Sequence, residues 1–198
     1  MAINMYGLYY ITSKHQYRAL KVFELREMLL ISHRGNVDGM NPDRENSVTY
    51  INEALNLGFS VMVDVWFVGG SLALGNDRPQ YGVTAEFLRN PRIICKARNA
   101  STLSALMDMN LHCFANHRDD CSVTTGGYVW IYPGCPVASR GIIYMPEYTY
   151  RNACDAGDVM CAGVCSNFII HIRDRKNVEG SPPSDDEECM EDISDPEM

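Results

Sequence analysis

Apolar residues along this chain gather in short runs, and the runs alternate with stretches of helical period. The runs at 28–33, 60–68, 71–75, 92–97, 111–115, 127–132, 141–145 and 162–170 have the length and composition of β-strands. Between the first two, Val48, Ile51, Ala54, Leu55 and Leu57 fall on one face of a helix from Asn46 to Leu57, which Gly58 terminates. Ala100 to Met109 repeats the pattern with Leu103, Leu106 and Met107. Gly69-Gly70 separates two β-rich runs at hairpin spacing. Strands alternating with helices predict a parallel sheet, and about seven of them predict closure. The expected fold class is therefore α/β, a compact TIM-type (β/α) barrel. Met28 to Arg173 spans 146 residues, against about 250 for a typical barrel of this kind. Such a barrel would be incomplete or distorted, with shortened outer helices.

The flanks read differently from the middle. Residues 1–27 form an N-terminal extension in which Leu20, Phe23 and Leu25 make no clean stripe. Residues 28–173 are the expected α/β barrel. Residues 174–198 carry ten acidic and two basic side chains, and include Ser181-Pro182-Pro183-Ser184-Asp185-Asp186-Glu187-Glu188. So polar a segment buries too little apolar surface to offset the entropy of ordering, and disorder is expected there.

Charge sharpens this division. The formal net charge is -8, yet upstream of Asp174 there are fifteen residues of each sign. A neutral globular part has no basic footprint for nucleic acid. The acidic tail is a candidate contact for a protein partner, and Ser184, followed by four acidic residues, has the composition of an acidophilic-kinase site. No run approaches the roughly 20 apolar residues of a transmembrane helix, and the first residues lack the pattern of a signal peptide. The expectation is a soluble, intracellular (cytoplasmic) protein. Eight cysteines then read as free thiols, and Cys154, Cys161 and Cys165 lack the paired two-residue spacing of structural zinc.

The chemistry concentrates at strand ends. Met28-Leu29-Leu30-Ile31-Ser32-His33-Arg34-Gly35 delivers a histidine, an arginine and a glycine at the C-terminal end of a buried strand, where parallel α/β proteins place their sites. His33 reads equally as an acid or base and as a hydrogen-bonded strand cap. Four more segments belong with it: Glu45-Asn46, Val61-Met62-Val63-Asp64-Val65-Trp66, Leu74-Gly75-Asn76-Asp77 and Ile94-Cys95-Lys96-Ala97-Arg98-Asn99. Asn167, after Cys165-Ser166, is placed to face the same mouth. Trp66 and Trp130 read as core residues or as stacking platforms for a headgroup.

In order and spacing these segments, together with Tyr128-Val129-Trp130-Ile131-Tyr132-Pro133-Gly134, resemble the glycerophosphodiester phosphodiesterase group of the phospholipase C-like phosphodiesterase superfamily, in particular its short branch. The resemblance covers residues 29–170. It implies phosphodiester cleavage by two histidines acting as acid and base, with carboxylates holding Mg²⁺ or Ca²⁺. By the same resemblance His33 is the first histidine, Arg34 the phosphate-facing arginine, and Glu45 and Asp64 the metal carboxylates. Lys96 and Trp130 are placed on the substrate.

Three positions depart from the pattern. Met62 stands where the family has a metal carboxylate, and a thioether is no hard ligand. Asn76 stands in the place of the second histidine and moves no proton near neutral pH. Lys96 stands at a further metal glutamate, where its ammonium is expected to pair with Asp64 in the former metal space. His117 is the candidate replacement acid. One positioned acid–base group is worth about 10²–10⁴ in rate, and the metal several kcal/mol more. The expectation is thus a phosphoric diester hydrolase-like protein that binds a small phosphodiester or phosphate with turnover weak or lost. The alternatives are a dead pseudoenzyme and a protein-interaction scaffold.

Overall fold

The computed structural model describes residues 28–116, 119–150, 155–156 and 159–179. The N-terminal extension, His117, Cys154, Ser184 and the acidic tail beyond 179 lie outside them. The strands are β1 (Leu29–His33), β2 (Ser60–Val68), β3 (Ser71–Leu74), β4 (Tyr81–Val83), β5 (Ile93–Ala97), β6 (Cys113–Phe114), β7 (Cys121–Val123), β8 (Val129–Ile131), β9 (Gly141–Tyr144) and β10 (Gly163–Ser166). The helices are α1 (Val48–Asn56), α2 (Ala85–Leu88), α3 (Ala100–Asp108) and α4 (Ile169–Glu179).

Side-chain caps set where the first three helices start. The Ser47 hydroxyl, the Thr84 hydroxyl and the Asn99 carboxamide each accept a backbone N–H three residues on, at 3.3, 3.2 and 2.8 Å. The helix α4 runs past Asp174, where composition places the start of the tail. It begins at Ile169, so the apolar run 162–170 is strand only to Ser166.

Seven strands pair in parallel in the order β6-β5-β2-β1-β10-β9-β8. Two short segments missed by the sequence pattern, β4 and β7, are antiparallel additions of three residues each. The hairpin expected at Gly69-Gly70 joins β2 to β3, with Val68 opposite Ser71 and both glycines at positive φ, 58° and 79°. That conformation is the one a two-residue hairpin loop requires.

The expectation of a TIM-type barrel is overturned. The molecule is a mixed sheet of ten strands with few, short helices, and the sheet does not close. Among the described residues no ladder joins β6 to β7 or β8. Instead Thr125 bridges the gap, its amide donating to the Cys113 carbonyl at 2.8 Å and its hydroxyl accepting the Cys113 amide at 2.9 Å. The backbone groups of Cys113 on that edge are taken by a loop residue and not by a strand, so alternation in sequence did not become a ring.

Burial divides between the two faces. Outside, α1, α2 and α3 pack Ile51, Ala54, Leu55, Leu88 and Leu106 on Val61, Val63, Val65 and Cys95. Inside the curl, Ile31, Met62, Ile94, Phe114, Trp130, Ile142 and Cys165 form one cluster to which seven strands each contribute a residue. Because strand side chains alternate between faces, each strand's next inward position lies two residues later, and those positions form a second layer above the first.

Candidate functional site

Two residues beyond that apolar layer stand His33, Asp64, Lys96, Tyr132, Tyr144 and Asn167; Asp64 lies in the middle of β2, and the others lie at, next to or just past the C-terminal ends of β1, β5, β8, β9 and β10. Contacts across the curl tie them together. His33 donates from Nδ1 to the Asn167 carboxamide oxygen at 2.8 Å, and its Nε2 lies 3.2 Å from the Tyr144 hydroxyl, which donates to it. Tyr144 also meets the Tyr132 ring edge-on at 5.4 Å. The Lys96 ammonium lies 5.6 Å from the Tyr144 ring centroid.

Near neutral pH His33 is a neutral imidazole. Burial, then the neighbouring Arg34 charge, lower its pKa from 6.5 to about 4, against the opposing pull of Asn167, Asp64 and Glu45. Only 3 % of its surface is exposed. Of the two open readings, the structure favours the hydrogen-bonded strand end.

Arg34 is not turned toward a phosphate position. Its Nε donates to Asp64 Oδ2 at 2.6 Å, Nη1 to Glu45 Oε2 at 2.9 Å and Nη2 to Asn76 Oδ1 at 2.7 Å. The backbone makes this possible by turning left-handed at Arg34, φ 59°, directly after β1. Gly35 follows at φ 97°, and a Cβ there would stand 2.6 Å from the Tyr50 ring. Only glycine fits that turn against α1.

The second oxygen of Asp64 accepts from Arg98 Nη1 at 3.2 Å. The expected Lys96–Asp64 pair is therefore corrected. The two residues are register partners on β2 and β5, but both carboxylate oxygens are taken by guanidiniums. Among the described residues Lys96 has no ion-pair partner. Burial lowers its pKa, reinforced by the Arg98 and Arg34 charges and opposed by Asp64.

Other candidates also change place. Trp130 belongs to the apolar layer, fully buried and stacked on Phe114 at 4.6 Å, which leaves no face for a headgroup. Trp66 is clasped by its indole N–H on the Gly75 carbonyl at 2.7 Å, with Arg98 5.9 Å from its ring. Met62 lies in the apolar layer, one step below the ring. Asn76 faces the site, as an acceptor for Arg34. Beside it a cavity of about 410 Å³ is lined by Glu45, Asn46, Asn76, Asp77, Arg78 and Gln80.

The residues do not fit a divalent cation. Asp64 and Glu45 are both engaged by Arg34, Met62 offers no oxygen, and no cluster of three His, Cys, Asp or Glu that could hold a metal occurs among the described residues. Cys161 and Cys165 are free thiols, Cys165 wholly buried in the interior.

Tyr144 and Asn36 escaped the sequence pattern. Asn36 donates to both Glu45 Oε1 and Asn167 Oδ1, joining the two halves of the site. The signal for Tyr144 was its position two residues after inward Ile142, whereas Asn36 sits in a turn with no periodicity to reveal it. No helix among the described residues is long and apolar enough to cross a membrane. Compared with protein family models, curated proteins and solved structures, the chain matches none.

Proposed function

We propose that the protein binds a small phosphorylated ligand, a phosphodiester or a phosphate, at the mouth of the curled sheet and does not hydrolyse it. The observation that carries this reading is Lys96. Asp64 engages Arg34 and Arg98, Glu45 engages Arg34, and Glu147 is held by the Ser166 hydroxyl and the Asn167 amide. One half-buried ammonium is left over, beside the hydroxyl-bearing rings of Tyr132 and Tyr144. A buried cation without a counter-charge is costly, and an anion arriving beside it relieves that cost. Phosphate oxygens suit an ammonium.

Resemblance to the glycerophosphodiester phosphodiesterase group agrees with an anion of this kind, and the chemistry argues against its cleavage. The mechanism that the resemblance implies requires two histidines near neutral pH. Here Asn76 stands for one, and His33 is neutral with both ring nitrogens already bonded.

Calorimetric titration with inorganic phosphate, glycerol phosphate and glycerophosphocholine tests the reading. At least one binds saturably, Lys96→Met weakens it about tenfold or more, and affinity falls as pH rises through the lowered Lys96 pKa. A diesterase assay across Mg²⁺, Ca²⁺ and Mn²⁺ shows no turnover. Absence of binding, or binding untouched by Lys96→Met, overturns the ligand reading. Metal-dependent hydrolysis lost on His33→Ala restores the enzyme.

A further inference from the structure

Pro133-Gly134 turns the chain back on itself after β8. Gly134 takes φ 84°, and the Cys135 amide donates to the Tyr132 carbonyl at 3.2 Å, the tight turn that proline followed by glycine at its two central positions favours. The turn sets Cys135 down beside Tyr132. Tyr132 is itself joined to the residue before β7, its amide donating to the Asp120 carbonyl at 3.0 Å, and Cys121 follows as the first residue of β7, opposite Ile131. Two cysteines distant in sequence therefore stand at one end of the β7–β8 hairpin. Both the Asp120 carboxylate and the Cys121 thiol lie close enough to Cys135 to act on its thiol.

Exposure sets this pair apart from the other described cysteines. Cys121 is exposed and Cys135 half-buried, and both are free. Cys95 and Cys113 are register partners on β5 and β6, but they are buried with Cys165, away from any oxidant in solution. Cys161 is half-buried and donates its thiol to the Gly163 carbonyl at 3.4 Å. Burial, then the Asp120 charge, push the Cys135 thiol up, which keeps it protonated and unreactive toward oxidants until a partner sulfur is activated beside it. An exposed thiol next to one held in reserve is the arrangement that turns a sulfenic acid into a disulfide.

We propose that Cys121 and Cys135 form a redox modification site: a hydroperoxide oxidises Cys121, and Cys135 then closes a reversible disulfide at the open end of the β7–β8 hairpin. In the first step the Cys121 sulfur takes one oxygen from the hydroperoxide, giving a sulfenic acid and an alcohol, or water when the oxidant is hydrogen peroxide. In the second the Cys135 sulfur attacks the Cys121 sulfur, the S–O bond breaks, and the hydroxyl leaves as water with the Cys135 proton. A dithiol restores both thiols and is itself oxidised to a disulfide. The bond ties the start of β7 to the turn after β8, next to the Asn116–Ser122 bond at the seam. Neither thiol takes part in the phosphate reading, so the two stand or fall separately.

The test treats the full chain, reduced and freed of reductant, with a small excess of hydrogen peroxide near neutral pH, and maps the cysteines by mass spectrometry. Wild type yields a peptide pair linked through Cys121 and Cys135, and dithiothreitol restores both thiols. Cys135→Ser leaves Cys121 as a sulfenic acid that dimedone captures. Cys121→Ser keeps the Cys135 thiol at the same dose. The proposal fails if Cys121 stays reduced in wild type while Cys161 reacts, or if oxidised Cys121 is joined to any cysteine other than Cys135, in the same chain or in a second copy. Oxidation of Cys135 in the Cys121→Ser chain as fast as in wild type also overturns it, since Cys135 would then need no activated partner.

Discussion

Two layers of side chains, two residues apart on the same strands, obey opposite rules. In the lower layer Ile31, Met62, Ile94, Phe114, Trp130, Ile142 and Cys165 are held by shape and by removal from water. In the upper one His33, Arg34, Asp64 and Asn167 are largely withdrawn from water too, yet held by named partners at fixed distances. The lower layer tolerates any apolar group of the right volume. The upper tolerates no lost partner, since an orphaned buried charge costs more than the pair contributes.

The largest effect is expected where a single upper-layer residue serves two cations. Asp64→Leu leaves Arg98 without its carboxylate and Arg34 with Glu45 as its one remaining carboxylate, and lowers unfolding free energy by about 3–5 kcal/mol, measured by urea denaturation; a loss comparable with an apolar swap would erase the distinction between layers. Met62→Glu comes second. It carries a carboxylate into the apolar layer at a cost on the order of 3 kcal/mol, so restoring the family's carboxylate at this position destabilises the fold instead of rebuilding a metal site.

Next comes pH. His33 in the folded chain titrates near 4, whereas unfolded it titrates near 6.5. Between those values the unfolded state binds the extra proton, so stability falls as pH drops from about 6.5 toward 4 and rises on return, by roughly 3 kcal/mol in all. Denaturation of His33→Gln across the same range should give a flatter profile, and an equal slope in both proteins would assign the acid sensitivity elsewhere. The smallest effect belongs to the lower layer: Met62→Leu conserves volume and changes stability by under about 1.5 kcal/mol.

The same contrast explains what could be read from the chain. Apolar runs placed the parallel strands, and the helical faces of α1 and α3 fell within a residue or two of their observed bounds, because burial is written directly into residue type. Closure was not legible. It turned on Thr125, a loop residue with no periodic signature, standing beside β6 in place of a strand. Of the residues that line the mouth, His33 and Asn167 were named because each comes after an apolar run at a strand end, whereas Asp64 and Lys96, which lie within their strands, were named through the family resemblance. The direction of Arg34 was hidden, because one left-handed residue decides whether a guanidinium faces a ligand or turns inward. Tyr144 was visible in principle from alternation, and the place of Trp130 was open between core and ligand until its stacking on Phe114 decided it.

The open seam has a spectroscopic consequence. Strand β6 is laddered to β5 on one side but on the other meets only the loop residue Thr125, with side-chain bonds from the flanking His112 and Asn116 to Thr124 and Ser122, and the indole of Trp130 lies against Phe114 of that same strand. Fluctuations that part the sheet begin where fewest amides must be released, so the Cys113 and Thr125 amides exchange with deuterium ahead of those in the β1–β2–β10 centre. Each such opening wets Trp130 before any other large interior ring, which makes its fluorescence a built-in gauge of how often the curled sheet unlatches.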